Sequence, residues 1–350
     1  MNFSSTAIDH YVIKHYSCQL MSVHNFWAEL PKPFFVLAPL ANVTDAAFRR
    51  VIAKYSKQDG ATPYVTYTEF VSADGLALAP EEGRRKLLRD LVFTPAERPI
   101  VAQFFTATAR HMEQAAALAA ELGFDGVDIN MGCPDRSIEK QGAGAKLIQT
   151  PARAAELIAA AKQGAPSLPV SVKTRLGYSK DTLEEWLPAL LQARPAAVII
   201  HARTRKEMSA VPAHWESVKR AVEIRNKFFN EASQTFIIGN GDVQNVEEAR
   251  QKAVETSADG IMIGRGIFGR PWLFSNSHEL ENNVEKRLRV AVEHTKLFED
   301  LLGDIKSFAI MKKHFKAYCE GFSGAKELRI KLMETKNAAE VKSVVEEFLK

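Results

Sequence analysis

The chain is poor in cysteine. Cys18, Cys133 and Cys319 are its only cysteines in 350 residues. Three scattered thiols are too few for a disulfide framework and lack the close spacing of a metal site. The sequence therefore excludes a disulfide-stabilised scaffold, predicts no bound metal and suggests a reducing compartment, the cytoplasm.

Long hydrophobic runs are also missing. No stretch approaches the roughly 18 apolar residues that a membrane-spanning helix requires. The N-terminus lacks the continuous apolar core of a secretion signal, and we interpret residues 1–30 as an N-terminal extension. The formal net charge of only +4 is too small for a nucleic-acid coat protein, but it suits a polyanionic partner if basic residues cluster.

What the chain does contain is a regular alternation of strand-like and helix-like segments. Eight β-branched and aromatic runs begin roughly 25 to 45 residues apart, each followed by a segment with helical periodicity. They cover residues 34–39, 64–70, 100–105, 126–132, 170–176, 198–203, 235–242 and 260–266. Eight such units favour a parallel (β/α)₈ barrel over residues 31–280, with an open doubly wound sheet as the alternative.

The pattern changes near residue 280. Helix-like segments follow one another without an intervening strand and predict an all-helical domain over residues 281–350. They cover residues 285–302, 306–320, 325–335 and 338–349. Basic residues recur there, including Lys313 and Arg329. They are candidate contacts for a phosphate backbone, and a solvated helix surface is the alternative.

Reactive or small residues stand at the C-terminal end of every predicted strand. In a parallel barrel these ends meet at one mouth, where the chemistry occurs. Cys133 follows the fourth strand on a turn made by Gly132 and Pro134. Its thiol could serve as a nucleophile or proton donor, or it could be a small buried apolar residue.

The later strands end in groups that suit a cofactor. Lys173 and His201 could donate hydrogen bonds to an electron-rich ring carbonyl. The segments Gly239-Asn-Gly-Asp242 and Gly264-Arg-Gly266 follow the last two strands, where barrels of this kind bind phosphate. Without a dinucleotide fingerprint, these features predict a phosphate-bearing mononucleotide.

Several motifs together resemble the tRNA-dihydrouridine synthases. The resemblance runs from about residue 33 to the C-terminus, and the Asn-X-Gly-Cys-Pro element is its most specific part. The motifs are Leu37-Ala-Pro-Leu-Ala-Asn-Val-Thr-Asp45, Asp128-Ile-Asn-Met-Gly-Cys-Pro134, Val172-Lys-Thr-Arg-Leu-Gly177, Ile200-His-Ala-Arg-Thr204 and Met262-Ile-Gly-Arg-Gly266. Leu40 and Asn42 depart from the pattern, standing where the family often has Met and Gly.

This resemblance implies an FMN-dependent reduction of uridine in tRNA, with NADPH as electron source. The hydride would pass from FMN to C6 of the uracil ring, and Cys133 would protonate C5. The residues implied to hold FMN are Ala38, Pro39, Leu40, Gln103, Lys173, His201, Asn240, Gly241, Asp242, Gly264 and Arg265. Asn130 and Arg175 would face the base, and Lys313 and Arg329 the tRNA backbone. A cytoplasmic monomer is expected.

Two other functions fit parts of the sequence. One is an FMN barrel that reduces a free small molecule, such as a dihydropyrimidine or dihydroorotate dehydrogenase. The basic helical segment and the absence of iron–sulfur cysteine runs disfavour it. The other is an RNA-binding protein on a catalytically inactive barrel, which the combination of Cys133, Lys173, His201 and Arg265 disfavours.

Overall fold

The computed structural model describes residues 25–57, 60–229, 235–277 and 279–350. Cys18 and most of the predicted N-terminal extension lie outside these residues. Nine strands occur within the described ranges, and all their pairings are parallel. They are β1 (Phe34–Leu37), β2 (Tyr64–Tyr67), β3 (Val71–Ser72), β4 (Ile100–Phe105), β5 (Gly126–Met131), β6 (Val170–Arg175), β7 (Ala197–His201), β8 (Phe236–Asn240) and β9 (Gly260–Ile263).

The strands close into a ring. Their order is β2, β1, β9, β8, β7, β6, β5, β4 and β3, and β2 also pairs with β4. β2 and β3 share one position, because Tyr67 pairs with Val101 and Val71 with Phe104 of the same neighbouring strand. The ring therefore has eight positions, which confirms the predicted (β/α)₈ barrel.

The sequence predicted one continuous strand over residues 64–70, which is wrong beyond the end of β2. The backbone amide of Gln103 donates to the hydroxyl of Thr68 at 3.1 Å. A side chain thus replaces a backbone partner and interrupts the ladder. Glu69 follows this break, and its carboxylate accepts a hydrogen bond from the backbone amide of Asn42.

Helices cover the outside of the ring and form the C-terminal region. Those of the described residues are α1 (Ala46–Ser56), α2 (Ala73–Leu78), α3 (Glu81–Asp90), α4 (Ala109–Glu121), α5 (Arg136–Lys140), α6 (Pro151–Gly164), α7 (Leu183–Gln192), α8 (Trp215–Phe228), α9 (Val246–Thr256), α10 (Glu279–Asn282), α11 (Val284–Leu302), α12 (Met311–Tyr318), α13 (Ala325–Glu334) and α14 (Ala338–Phe348). None of them is both long and apolar enough to cross a membrane.

Alanine-rich stripes allow the outer helices to approach one another closely. α4 buries Met112, Ala115, Ala116 and Ala119, whose spacing of three and four residues puts them on one helical face. α6 buries a similar stripe, and the two helices pack side by side. The stripes therefore explain why these segments lie on the barrel as helices.

An aromatic cluster closes the N-terminal end of the barrel. Phe26 and Trp27 are 6% and 1% exposed. The Trp27 ring lies 5.4 Å from that of Phe34, which lies 5.9 Å from that of Phe236. The sequence placed Phe26 and Trp27 in an extension, whereas both belong to the cluster of buried residues inside the barrel.

The C-terminal helices have their own core and also pack on the barrel. Leu288, Phe298 and Phe315 are buried in this core together with Ala47 of α1. The predicted helical region after the barrel is confirmed. The helix predicted over residues 306–320 is wrong at its start, because Ser307 begins a short 3₁₀ turn and α12 follows only from Met311.

Candidate active site

A cavity of about 830 Å³ opens at the C-terminal ends of the barrel strands. Its volume lies within the range of cofactor and small-ligand sites. The predicted site residues that line it are Cys133, Ala38, Pro39, Leu40, Lys173, His201, Asn240, Gly241, Asp242, Gly264, Arg265, Asn130 and Arg175. Side chains that lie far apart in the sequence thus meet at one mouth, because all the strands run in the same direction.

The turn that carries Cys133 is held by hydrogen bonds on both sides. Asn130 Oδ1 accepts from the amides of Gly132 at 3.1 Å and Cys133 at 2.9 Å. The Cys133 carbonyl accepts from the amide of Ala145. A side chain on Gly144 would approach that carbonyl to 2.7 Å, so this position requires glycine. The thiol is therefore held at a fixed place on the cavity wall.

The Cys133 thiol is protonated at neutral pH. Burial raises its pKa above the ordinary range, while the charges of Arg175 and Lys173 oppose that shift. A protonated thiol can donate a proton to a neighbouring atom, and the two cations stabilise the thiolate that remains. The geometry therefore suits a general acid.

Below the cavity floor, a buried carboxylate orients two amide side chains. Asp128 Oδ2 accepts from Gln103 Nε2 at 2.7 Å, and Gln103 Oε1 accepts from Asn130 Nδ2 at 3.1 Å. Ser171 donates to the other oxygen of Asp128 at 2.6 Å. Because the backbone amides of Gly132 and Cys133 can only donate, Asn130 must present its oxygen to the turn and its Nδ2 to Gln103. Gln103 then turns its oxygen toward Asn130 and its Nε2 toward Asp128, so each amide has one orientation.

Asp128 and Gln103 therefore support the site from beneath. Burial raises the pKa of Asp128 to about 7, against the hydrogen bonds from Ser171 and Gln103. The sequence assigned Gln103 to FMN, but its side chain is fully buried, does not line the cavity and uses both ends of its amide within the barrel. The sequence did not single out Asp128, although a carboxylate within a barrel strand was a usable signal.

Lys173 and His201 face the cavity from neighbouring strands. Lys173 Nζ donates to Asn240 Oδ1 at 3.2 Å. Burial, followed by the charge of Arg175, lowers the pKa of Lys173 to about 8. Burial and nearby cations lower the pKa of His201 to about 2, so its imidazole is neutral.

The neutral His201 has a defined tautomer. Its Nε2 lies 3.3 Å from Nη1 of Arg203. Since a guanidinium group has no acceptor, Nε2 must accept and the proton resides on Nδ1. Arg203 belongs to the motif Ile200-His-Ala-Arg-Thr204, but the sequence assigned it no role.

The loops after β8 and β9 form a cationic end of the cavity. Asp242 accepts from Arg203 and, at 2.7 Å, from Arg265. Two guanidinium groups around one carboxylate leave a net positive charge beside Gly264. A Cβ on Gly264 would point toward Ala38, 3.7 Å away, and would narrow the cavity. This end therefore suits a phosphate group that approaches the backbone closely.

The opposite wall is apolar and lies beside the thiol. The rings of Phe70 and Phe105 form an edge-to-face pair at 5.8 Å and pack with Ile138 near Cys133.

Arg175 also lines the cavity, but its guanidinium donates to the carbonyl of Gly132 at 2.7 Å and to two carbonyls after β7. Its observed contacts thus fix the Cys133 turn, whereas the sequence assigned it to the base.

Lys313 and Arg329 lie outside the cavity, on α12 and α13. Lys313 is exposed, as is Lys316 on the same helix, and Arg329 is half-buried. Among the described residues, no ion pair joins Lys313 or Arg329 to a carboxylate. Their charges are therefore available to a polyanion.

Comparison with known proteins identifies similar chains. The dihydrouridine synthase family model matches residues 36–350. A probable tRNA-dihydrouridine synthase of Staphylococcus aureus (strain MRSA252) is 39% identical over 326 residues, which cover 93% of this chain and 95% of that protein. Probable tRNA-dihydrouridine synthase 2 of Bacillus subtilis (strain 168) is 40% identical, with coverages of 93% and 96%.

Comparison with solved structures concerns only the fold. Histamine dehydrogenase from Rhizobium sp. 4-9 superposes with a TM-score of 0.51 at 13% sequence identity. The match covers 75% of this chain and 48% of that one. At this identity the likeness supports the barrel architecture and carries no information about the substrate.

Proposed function

The chain belongs to the dihydrouridine synthase family, and from that membership we propose that it reduces uridine in tRNA to 5,6-dihydrouridine. FMN is the proposed cofactor and NADPH the proposed electron donor. The observation that carries the proposal is the Cys133 thiol, protonated and immobilised on a cavity that Lys173, His201 and Arg265 also line. We further propose that the protein acts as a monomer in the cytoplasm.

The cavity suits a flavin mononucleotide in volume and in chemistry. Gly264 leaves room at the cationic end, where Arg265 can contact a phosphate. Lys173 and the Nδ1–H group of His201 can donate to carbonyl oxygens of the ring. When bound, the flavin would supply the hydride that adds to C6 of uracil.

Cys133 then completes the reduction at the neighbouring carbon. Its Sγ transfers a proton to C5, and Lys173 and Arg175 stabilise the thiolate electrostatically. Asn130 and Arg175 hold the turn so that the thiol stays in place. Phe70 supplies an apolar surface that excludes water and can pack against a base.

The RNA must present a single base to this mouth. Removing a uridine from its stack costs a few kcal/mol, which contacts elsewhere on the RNA can offset. Lys313 and Arg329 are proposed to contact the phosphate backbone, supported by their position on adjacent helices and their lack of carboxylate partners among the described residues. Such contacts orient the RNA without reading its sequence.

Replacing the thiol tests the proposal directly. Cys133→Ala should abolish dihydrouridine formation on tRNA and leave NADPH-driven reduction of the flavin largely intact. Cys319→Ala is the matched control, because that thiol is buried in the helical core and should not affect turnover. Equal loss of both half-reactions in Cys133→Ala would exclude the proton-donor role.

Two alternatives give different results with purified protein. A reductase of free small molecules would turn over uracil or uridine as efficiently as tRNA, whereas the proposed enzyme requires the RNA. An inactive RNA-binding barrel would be colourless and would bind no FMN. Membership of a family defined by dihydrouridine synthesis disfavours both.

A further inference from the structure

One buried lysine of the helical region contacts the barrel behind a loop that lines the cavity. Lys306 lies between α11 and α12, and its ammonium group donates to Glu69 Oε2 at 2.5 Å. It also lies 2.7 Å from Asp90 Oδ1. The side chains of Lys306 and Glu69 are only 13% and 6% exposed. This ion pair therefore joins the two regions where little water can screen it.

Glu69 extends the contact to the loop between β1 and α1. Its second oxygen, Oε1, accepts a hydrogen bond from the backbone amide of Asn42. Asn42 has a φ of +54°, in the left-handed region that residues other than glycine adopt uncommonly, asparagine more readily than most. Ala38, Pro39 and Leu40 of the same loop line the cavity.

We propose that Lys306 is a positioning residue of the cofactor site. Lys306 holds Glu69, Glu69 holds the backbone of Asn42, and the loop thereby keeps the shape against which the cofactor packs. The inference rests on the proposed function, since it takes FMN as the occupant of the cavity. It gives the helical region a role in binding the cofactor as well as the tRNA.

The positive charge of Lys306 is needed to balance the buried carboxylate of Glu69. Asp45 caps α1 close to Glu69, and burial together with the charge of Glu69 raises the pKa of Asp45 to about 7. Without Lys306, the carboxylate of Glu69 would remain buried near Asp45, with no ammonium group to balance it. An unbalanced buried carboxylate is unfavourable, so Glu69 would turn toward water and away from the amide of Asn42.

Arg89 provides a matched control. Its guanidinium on α3 donates to the Leu301 carbonyl at 2.7 Å and to Asp304 at 2.9 Å. It crosses the same boundary between barrel and helical region but does not line the cavity. Arg89→Met therefore weakens the attachment of the helical region without disturbing the loop.

The test is a titration of cofactor-free, full-length protein with FMN, followed by flavin fluorescence. Lys306→Met should raise the Kd for FMN about tenfold, equivalent to about 1.4 kcal/mol, while Arg89→Met stays within about twofold of wild type. Glu69→Gln should also weaken binding, because its amide nitrogen would face the Lys306 ammonium group. Adding Lys306→Met to Glu69→Gln should then change the Kd little.

Each outcome bears on a different statement. Equal Kd values for Lys306→Met and Arg89→Met, or fully additive effects of Lys306→Met and Glu69→Gln, would overturn the inference and leave the proposed function intact. A wild-type protein that binds no FMN would overturn both. If circular dichroism shows that Lys306→Met does not fold, Glu69→Gln decides alone, and an unchanged Kd then refutes the role of the contact.

Discussion

Replacing Asn130 by aspartate would test the buried hydrogen-bond chain under the active site with a change of a single atom. The introduced carboxylate still accepts from the amides of Gly132 and Cys133. Its other oxygen, however, replaces the amide group that donates to Gln103 Oε1 at 3.1 Å. Rotating the Gln103 amide does not help, because its oxygen would then face the carboxylate of Asp128.

The expected loss of stability comes from two buried oxygens that face each other with no proton between them, Gln103 Oε1 and the introduced carboxylate oxygen. Leaving a buried polar group unsatisfied costs about 1–3 kcal/mol, and more for a charged one. One pKa unit corresponds to about 1.4 kcal/mol, so the introduced carboxyl should have a folded-state pKa roughly one to two units above its unfolded value of about 3.9. A raised carboxyl pKa means that the penalty is absent at low pH and reaches its full size above about pH 6.

Thermal unfolding of Asn130→Asp and wild type at pH 5 and pH 8 measures this penalty. A loss of about 2 kcal/mol should lower the midpoint by about 3 °C at pH 8, with a smaller difference at pH 5. Asn283→Asp is the control, because it replaces a helix cap whose side chain accepts an exposed hydrogen bond from the Lys286 amide, which a carboxylate can equally accept. Equal midpoints at pH 8, or a difference that does not shrink on acidification, would refute the assigned amide orientations.

Two further predictions concern the N-terminal end of the barrel and the surface that we propose to contact RNA. Trp27→Ala should destabilise the protein by about 3–5 kcal/mol in denaturant unfolding, because the ring is buried in the aromatic cluster; a loss below about 1 kcal/mol would show that this cluster does not stabilise the barrel. Lys313→Gln and Arg329→Gln should each weaken tRNA binding and reduce the slope of log Kd against log salt by about one. An unchanged slope would place the residue outside the interface.

Local pattern sufficed for the barrel and for most of the candidate site. Strand-like runs recur at the spacing of βα units, and strand polarity alone requires that residues at their C-terminal ends meet. Cys133, Lys173, His201 and Arg265 were therefore predicted to share a cavity before any distance was known, and all four line it. The residue types and the shared direction of the strands were enough to predict that these residues meet.

The orientation of side chains within the barrel could not be predicted from these patterns. Gln103 is among the residues that the family resemblance implies for FMN, yet its contacts are set by Asp128 and Asn130 on the neighbouring strand. Which end of an amide faces which neighbour depends on the donors and acceptors across the strand pairing. No periodicity along the chain encodes that choice.

The sequence by itself thus determined the class of fold, the family and most of the residues that meet at the cavity, because these depend on local periodicity and on short motifs. Only the tertiary structure decided that Trp27 closes the base of the barrel and that Lys306 reaches Glu69, 237 residues away along the chain. Those contacts follow from how finished elements pack against one another. In the sequence, Lys306 cannot be distinguished from the other lysines of the basic helical region. Only the folded structure places it, and not them, next to the buried carboxylate of Glu69.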